Sequence, residues 1–192
     1  MNSYISRLFF LLVLTIKKII ERKRNKVSRI YKNNIFDGIL SIYQGITHIT
    51  DNIYLSSSFS VINLENLEKL RIYDIINCTK DIPNWFEQDE RFDYMRIKIN
   101  DDGKEKFSNK ILEDSYNFIT EKSNNSKILI HCYLGRSRSV TVILYYLLKK
   151  YNINKYDALN IIKEKRPNIN VASIFFNNLP YVISKENNFR KS

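Results

Sequence analysis

Residues 127–151 read KILIHCYLGRSRSVTVILYYLLKKY, and the fold class can be inferred by working outward from this stretch. The apolar run at 127–130 predicts a buried strand, and the segment 138–151 has the length and the apolar content of a central helix. The residues between them, 131–137, therefore join the carboxyl end of a strand to the beginning of a helix. Ligands of α/β proteins bind at this place, past the end of a strand.

On either side of this stretch the chain alternates between strand and helix patterns. The predicted strands are 53–55, 72–77, 94–99 and 127–130. The predicted helices are 63–70, 108–122, 138–151, 154–165 and 173–184, with Pro180 inside the last one. Strands that alternate with helices indicate an α/β fold with a mostly parallel central sheet, flanked by helices on both faces.

Composition and charge exclude several classes of protein. The two cysteines, Cys78 and Cys132, are too few for a disulfide framework or for a structural zinc site built on cysteine, so we expect an intracellular, cytoplasmic protein. The net charge of +11 is concentrated at one end, since residues 1–32 hold nine Lys and Arg and one acidic residue. Residues 33–192 are nearly balanced and contain no nucleic-acid module, so we expect no nucleic-acid partner.

The N-terminal extension, which we place at 1–45, has an apolar part and a basic part. Seven consecutive apolar residues at 8–14 precede a lysine- and arginine-rich segment at 17–26. The apolar run is shorter than the roughly 20 residues of a membrane span. Two main interpretations stay open: a helix on an anionic membrane surface, or a helix that packs on the domain at 46–192. A signal-anchor that spans with help from flanking residues is a third.

The junction between strand and helix combines a nucleophile with a binding site for an oxyanion. Cys132 lies just past the predicted strand, ahead of the helix, and residues 133–137 offer successive backbone N–H groups that can curl around an anion, with Gly135 permitting the tight curl. Arg138 adds a planar guanidinium that suits two oxygens of one phosphate. All these groups favour the thiolate, so the stretch predicts a cysteine nucleophile that forms a cysteinyl-phosphate.

A departing alcohol needs a proton donor on a loop near the nucleophile. Asp101 and Asp102, directly after a predicted strand, are the two candidates, and the same carboxylate would activate water in the second step. Ser139 can donate a hydrogen bond to the sulfur of Cys132 as it leaves. His131 is expected to orient the backbone near the thiol rather than to act as a base. We expect no cofactor and no metal ion.

The pattern His-Cys-x5-Arg-Ser at 131–139 resembles the signature of the cysteine-dependent dual-specificity protein phosphatases, within the protein tyrosine phosphatase superfamily. The resemblance is carried by the stretches 49–56, 75–86, 94–101 and 139–147. It implies this family's fold, a catalytic domain at 46–192, and Asp101 rather than Asp102 as general acid. The expected catalytic residues are Cys132, Arg138, Asp101, Ser139 and His131. The expected phosphate-binding residues are Tyr133, Leu134, Gly135, Arg136, Ser137 and Arg138.

Two positions depart from the family pattern. Leu134 stands where the family usually has a small residue, which would alter the pocket wall. Val171 and Ala172 stand where the family usually has Pro-Asn, which would remove a side-chain amide that supports the loop. Neither departure removes a catalytic group, so we do not interpret the chain as a pseudophosphatase.

Several residues have two interpretations. We interpret Cys78 as a small core residue at the end of a buried strand, and a reversible disulfide with Cys132 is the alternative. Arg136 is either a solvated loop residue or a second cation at the pocket mouth. Tyr133 either stacks at the rim of the pocket or covers the loop. A sulfur-transfer loop of the rhodanese kind is disfavoured by Arg138, by the serine that follows it and by the upstream aspartate.

The resemblance implies hydrolysis of phosphotyrosine, phosphoserine and phosphothreonine in proteins, because the domain is too short for the insertion that deepens the pocket of tyrosine-selective relatives. A lipid phosphatase of the phosphatidylglycerophosphate or phosphoinositide type is the alternative, since the extension would suit work at a membrane. A non-catalytic phosphate-binding module is disfavoured by the presence of all three reactive groups. The expected partners are a phosphorylated protein substrate and, through residues 1–32, an anionic membrane surface.

Overall fold

The computed structural model describes residues 44–181, so the predicted extension lies outside the described residues except for its last two positions. Five strands form one sheet in the order β1-β2-β5-β3-β4. They are β1 (Thr47–Thr50), β2 (Ile53–Ser57), β3 (Ile72–Asn77), β4 (Asp93–Arg96) and β5 (Lys127–Cys132). The pair β1 and β2 is antiparallel and the other three pairs are parallel, which confirms the mostly parallel sheet.

Six helices lie in the described part of the chain. They are α1 (Ser58–Val61), α2 (Leu64–Leu70), α3 (Asn109–Ser123), α4 (Arg138–Tyr151), α5 (Lys155–Lys165) and α6 (Ser173–Asn178). Side-chain caps define where two of the longer helices begin: Ser108 accepts a hydrogen bond from the N–H of Ile111, and Asn154 accepts from the N–H groups of Tyr156 and Asp157. Both starting points agree with the sequence prediction.

Apolar side chains pack on both faces of the sheet. In β5, Ile128 and Ile130 belong to a large cluster with residues of α3 to α6, whereas Leu129 belongs to a smaller cluster with residues of α1 and α2. This alternation is the period of two of a strand that is covered on both faces. Helix α4 is buried along 139–148, which explains why its sequence is apolar on all sides.

The strand predicted at 94–99 is shorter in the structure and ends at Arg96. Beyond it the chain turns away from the sheet, and the carbonyl oxygen of Ile99 accepts a hydrogen bond from Nη1 of Arg138 at 3.2 Å instead of pairing with a strand. The prediction was wrong because the neighbouring strand β3 ends at Asn77. The N–H of Ile97 donates to the carbonyl oxygen of Asn77 at 2.8 Å, and the N–H of Ile99 then bonds to Ile97 of its own segment at 3.1 Å.

The helix predicted at 173–184 ends at Asn178 in the structure. Leu179 precedes Pro180 and takes an extended backbone with a ψ of 142°, as residues before proline usually do. Two elements were not predicted: β1, which forms a hairpin with β2, and the four-residue helix α1. Within residues 44–181, no helix combines the length and the apolar content that crossing a bilayer requires.

Candidate active site

The segment 132–138, here called the cysteine loop, leaves β5 at Cys132 and enters α4 at Arg138. Gly135 in its middle has a φ of +66°, in the region that favours glycine. A Cβ atom there would lie 2.4 Å from the carbonyl oxygen of Ser56, on the neighbouring strand β2. The loop is therefore curled tightly against the sheet, as the glycine in the sequence predicts.

Hydrogen bonds from two sides hold the cysteine loop. Ser58 donates from its backbone N–H and from its hydroxyl to the carbonyl oxygen of Tyr133, each at 3.1 Å. On the other side, Nε of Arg136 donates to the carbonyl oxygen of Asn168 at 2.8 Å. The N–H of Asn170 donates back to the carbonyl oxygen of Arg136 at 3.0 Å. Arg136 is thus a bonded part of the loop rather than a solvated residue.

The segment that follows α5 supports the loop although it lacks the family's Pro-Asn pair. The backbone N–H of Ala172 donates to the hydroxyl oxygen of Ser137 at 3.1 Å. A main-chain donor therefore supports the loop at the place where the resemblance implies a side-chain amide. The Ser137 hydroxyl also points at Oδ1 of Asp101, 3.5 Å away.

Arg166 is a supporting residue that the sequence analysis did not identify. It is fully buried, and its Nε donates to the carbonyl oxygen of Gly135 at 3.2 Å. Its Nη1 donates to the carbonyl oxygen of Gly45 at 3.2 Å and to Oγ1 of Thr47 at 2.9 Å. Burial lowers the pKa of Arg166 to about 10, so the side chain stays protonated at neutral pH. The sequence shows only a charged residue before Pro167, which is an ordinary way to end a helix.

Cys132 is 2% exposed, and its pKa is nevertheless lowered. Burial on its own would raise the pKa of the thiol, but the Arg138 charge, the Ser139 hydroxyl and nearby backbone N–H groups act in the other direction and outweigh it. The Ser139 Oγ lies 3.2 Å from the Cys132 Sγ, within hydrogen-bond distance. The arrangement stabilises a thiolate inside the protein.

Of the two candidate acids, the structure brings Asp101 to the loop. Its Oδ2 lies 3.5 Å from Nε of Arg138, and its side chain lines the cleft above Cys132. Asp102 is exposed and accepts a hydrogen bond from the N–H of Lys104 at 2.9 Å, within its own turn. The position of Asp101 therefore meets the geometric requirement for a proton donor, and that of Asp102 does not.

The segment that carries Asp101 is held by its own side chains. Glu105 accepts a hydrogen bond from the backbone N–H of Asn100 at 2.8 Å and another from the Asn100 side-chain amide at 2.6 Å. At the far end, the Phe107 ring is buried against Phe175 at a centroid distance of 5.2 Å. These contacts hold the acid at the mouth of the cleft.

His131 lies under the loop and is 1% exposed. Burial lowers the pKa of His131 to about 4, so the imidazole is neutral at pH 7. Its Nδ1 has no hydrogen-bond partner among the described residues. A buried, neutral ring suits the predicted orienting role better than the role of a base.

A cleft of about 390 Å³ opens over the cysteine loop. Its lining residues are Asp101, Cys132, Tyr133, Leu134, Arg136, Ser137, Arg138, Asn170 and Ala172. Apart from its 3.5 Å ion-pair contact with Asp101, the buried Nε of Arg138 makes no hydrogen bond in the described part of the chain, so an oxyanion bound over Cys132 would supply an acceptor. Among residues 44–181, no three His, Cys, Asp or Glu side chains are close enough to share a metal ion.

The second cysteine, Cys78, is fully buried beyond the end of β3, and both cysteines are free thiols. Its N–H donates to the carbonyl oxygen of His131 at 2.8 Å. Burial raises the pKa of the Cys78 thiol well above its ordinary value, so the group stays protonated. These features agree with the interpretation of Cys78 as a core residue.

Curated proteins with similar sequences are phosphatases by name. Human dual specificity protein phosphatase 9 is 40% identical over 122 residues, and protein phosphatase Slingshot of Drosophila melanogaster is 34% identical over 142 residues. The matches cover 63% and 73% of this chain. They cover 32% and 13% of the relatives, so the chain spans a third or less of their length.

Solved structures and a family model agree with these relatives. The crystal structure of DUSP15 matches with a TM-score of 0.65 at 26% identity, over 71% of this chain and 85% of that chain. The crystal structure of human DUSP28 matches with a TM-score of 0.62 at 20% identity, over 70% and 89% of the two chains, and shows the fold alone. Residues 53–182 match the family model of the dual specificity phosphatase catalytic domain. The chain therefore belongs to the dual specificity phosphatase family.

Proposed function

We propose that this protein is a phosphatase that hydrolyses phosphotyrosine, phosphoserine and phosphothreonine in protein substrates through a cysteinyl-phosphate. The observation that carries the proposal is the pairing of Cys132 and Arg138 across one loop. The thiol has a lowered pKa, and the guanidinium has a buried Nε that makes no hydrogen bond in the described residues beyond its 3.5 Å ion-pair contact with Asp101. A phosphoryl group over the sulfur would accept from that Nε and from the backbone N–H groups of 133–137.

In the first step, the Cys132 thiolate attacks phosphorus, so that an S–P bond forms and the P–O bond to the substrate breaks. Asp101 gives its proton to the departing oxygen, and a neutral alcohol or phenol leaves. Arg138 and the N–H groups of the loop hold the oxygens on which negative charge accumulates.

In the second step, the ionised Asp101 takes a proton from water, and the water oxygen attacks the phosphorus of the cysteinyl-phosphate. The S–P bond breaks, and the products are inorganic phosphate and the Cys132 thiolate. The Ser139 hydroxyl, 3.2 Å from the sulfur, donates to the thiolate as it leaves. His131 exchanges no proton in either step, because a buried ring with a pKa of about 4 is a weak base.

The names of the relatives support protein substrates, since both curated relatives above are called protein phosphatases. We also propose that residues 46–192 form the catalytic domain of an intracellular enzyme. The basic segment of the extension, 17–26, would then attach this domain to an anionic membrane surface.

The test is the release of inorganic phosphate, measured side by side from a phosphotyrosine peptide, a phosphothreonine peptide and vesicles with a phosphorylated lipid. We expect the full chain to turn over both peptides faster than the vesicles. Cys132→Ser should lower turnover at least about 10³-fold and should retain bound phosphopeptide. Cys78→Ala is the matched control and should keep its turnover, because that thiol is buried outside the cleft.

Two results would contradict the proposal in different ways. Turnover by Cys132→Ser at the level of the unsubstituted chain would exclude the cysteinyl-phosphate. Faster turnover of the vesicles than of either peptide would identify a lipid phosphatase on this fold.

A further inference from the structure

Tyr133, which lines the cleft, and two residues at the neighbouring helix α1, Phe59 and Ile62, are large apolar side chains that stay exposed. Phe59 is 43% exposed, Ile62 is 47% exposed and Tyr133 is 48% exposed. Phe59 and Ile62 are three residues apart at helix α1, a spacing that places side chains on one face. We call these three residues the aromatic rim. Apolar surface that stays in contact with water next to a binding cleft is typical of a recognition site.

The two rings of the aromatic rim form a defined pair. Phe59 and Tyr133 pack edge to face, with ring centroids 5.6 Å apart and an interplanar angle of 69°. The backbone of Tyr133 is anchored by the two hydrogen bonds from Ser58, the first residue of α1. The pair is therefore positioned by the same contacts that hold the cysteine loop, and little side-chain freedom is lost when a ligand binds there.

The aromatic rim is continuous with the candidate active site, because Tyr133 also lines the cleft. When a phosphorylated residue enters the cleft and its phosphate reaches Cys132, an adjacent residue of the same peptide passes over the rim. The two rings and the one aliphatic side chain of the rim present an apolar surface large enough to contact one such residue. A membrane-binding face needs a much larger apolar surface.

We propose that the aromatic rim binds a large apolar side chain next to the phosphorylated residue, so that this protein selects phosphopeptides with an apolar neighbour. The inference rests on the proposed function and adds a substrate preference to it. Burial of the neighbouring side chain against Phe59 and Tyr133 supplies the selectivity, because apolar area removed from water is stabilising.

The experiment compares phosphotyrosine peptides that differ in a single residue, either Leu, Ala or Asp, placed directly before or directly after the phosphotyrosine. For the full chain we expect kcat/KM to be about 3- to 10-fold higher with Leu than with Ala on one of the two sides, and lowest with Asp. Phe59→Ala should remove most of this preference. Its kcat/KM on para-nitrophenyl phosphate, which has no neighbouring residue, should stay unchanged.

Trp85→Ala is the matched control. Trp85 is also a large aromatic residue, 47% exposed, but it lies between β3 and β4 and does not line the cleft. This variant should keep the full preference for Leu. A loss of preference in Trp85→Ala as well as in Phe59→Ala would mean that the effect is not local to the rim.

Several results would overturn the inference. Equal preference for Leu in Phe59→Ala and in the unsubstituted chain would show that the rim makes no contact with the neighbour. A uniform rise in the activity of Phe59→Ala on all substrates would show that another part of the same chain covers the rim. A loss of activity in Phe59→Ala that is confined to lipid vesicles would show that the rim contacts a membrane rather than a peptide. Activity on para-nitrophenyl phosphate without turnover of any peptide would overturn both the inference and the proposed protein substrate. Normal turnover of all peptides, with equal kcat/KM for Leu, Ala and Asp neighbours, would overturn the inference alone.

Discussion

The thiol of Cys132 is subject to two opposing effects, and their balance determines its reactivity. Burial favours the neutral thiol, while Arg138, the Ser139 hydroxyl and backbone N–H groups favour the thiolate. The net result is a lowered pKa, so the thiolate is present at a lower pH than for an ordinary cysteine. Each favourable contact should therefore change reactivity in a measurable direction when it is removed.

Ser139→Ala should raise the pKa of Cys132, because the thiolate loses the hydroxyl donor 3.2 Å away. The rate of alkylation by iodoacetamide, measured against pH, should have its midpoint at higher pH than in the unsubstituted chain. Ser115→Ala is the control, since this serine is also buried but bonds to Leu112 in α3. An unchanged midpoint in Ser139→Ala would show that the hydroxyl does not act on the sulfur.

Asp101→Asn should lower kcat on alkyl phosphates by about 10²- to 10⁴-fold, because a leaving group of high pKa needs a proton donor. On aryl phosphates with activated leaving groups the loss should be much smaller. Asp102→Asn is the matched control and should behave like the unsubstituted chain, because Asp102 bonds within its own turn. Equal losses on both classes of substrate in Asp101→Asn would move the acid role to another residue.

At the scale of secondary structure elements, the site is formed by segments that are far apart in the chain. Strand β5 and helix α4 supply the cysteine loop, α1 anchors it at Tyr133, and the segment after α5 anchors it at Arg136 and Ser137. Arg166, at the end of α5, adds a charged side chain that bonds the loop to the chain around β1. The position of the loop therefore depends on contacts with several elements.

Arg166→Met should lower the free energy of unfolding by at least about 1–3 kcal/mol. The carbonyl oxygens of Gly135 and Gly45 and the hydroxyl oxygen of Thr47 would lose their buried hydrogen-bond donor. It should also lower kcat more than it raises KM, since the loop loses its alignment. Chemical denaturation and steady-state kinetics check the two effects.

Two further variants separate positioning by Arg166 from a general effect of charge. Arg166→Lys keeps the charge but loses the planar fork, so it should recover stability and kcat only in part. Lys165→Met, at an exposed neighbouring position, should change neither. Full recovery in Arg166→Lys would contradict a role that depends on the bonds to Gly135, Gly45 and Thr47.

At the scale of the whole molecule, the net charge is concentrated in the N-terminal part of the chain. Residues 1–32 contain nine basic residues and one acidic residue, whereas residues 33–192 are close to neutral balance. A catalytic domain with little net charge has weak attraction to anionic surfaces by itself. Any membrane attachment would therefore come from the extension.

Deletion of residues 1–32 should leave kcat/KM on soluble phosphopeptides unchanged and should weaken binding to anionic vesicles at least about 10-fold, since each basic residue near the surface contributes about 1 kcal/mol. Cosedimentation with vesicles of anionic and of neutral lipids measures the effect. Substitution of Lys17 and Lys18 by Glu, with the apolar run intact, should give an intermediate loss. Unchanged vesicle binding after the deletion would favour a helix that packs on the domain.

Much of the fold and of the candidate site can be predicted from residues that are close together in the chain. The strand, the glycine and the helix start of 127–151 are contiguous, and backbone preferences and hydrophobic periodicity act over a few residues, so the cysteine loop and its neighbouring elements follow from local sequence. The fold class follows from the same periodicity. The predicted ends of the strand at 94–99 and of the helix at 173–184 were wrong, because the end of the neighbouring strand β3 determines the first and Pro180 determines the second.

Only the tertiary structure decided which distant residues meet at the loop. It places Asp101, which the resemblance favours over Asp102, 3.5 Å from Arg138, and it brings Arg166 to Gly135 and Phe59 to Tyr133. In the sequence Arg166 is an ordinary helix end and Phe59 an ordinary surface aromatic, and only the family resemblance distinguishes Asp101 from Asp102. Their roles depend on packing between elements, and packing is a property of the whole chain that no local pattern contains.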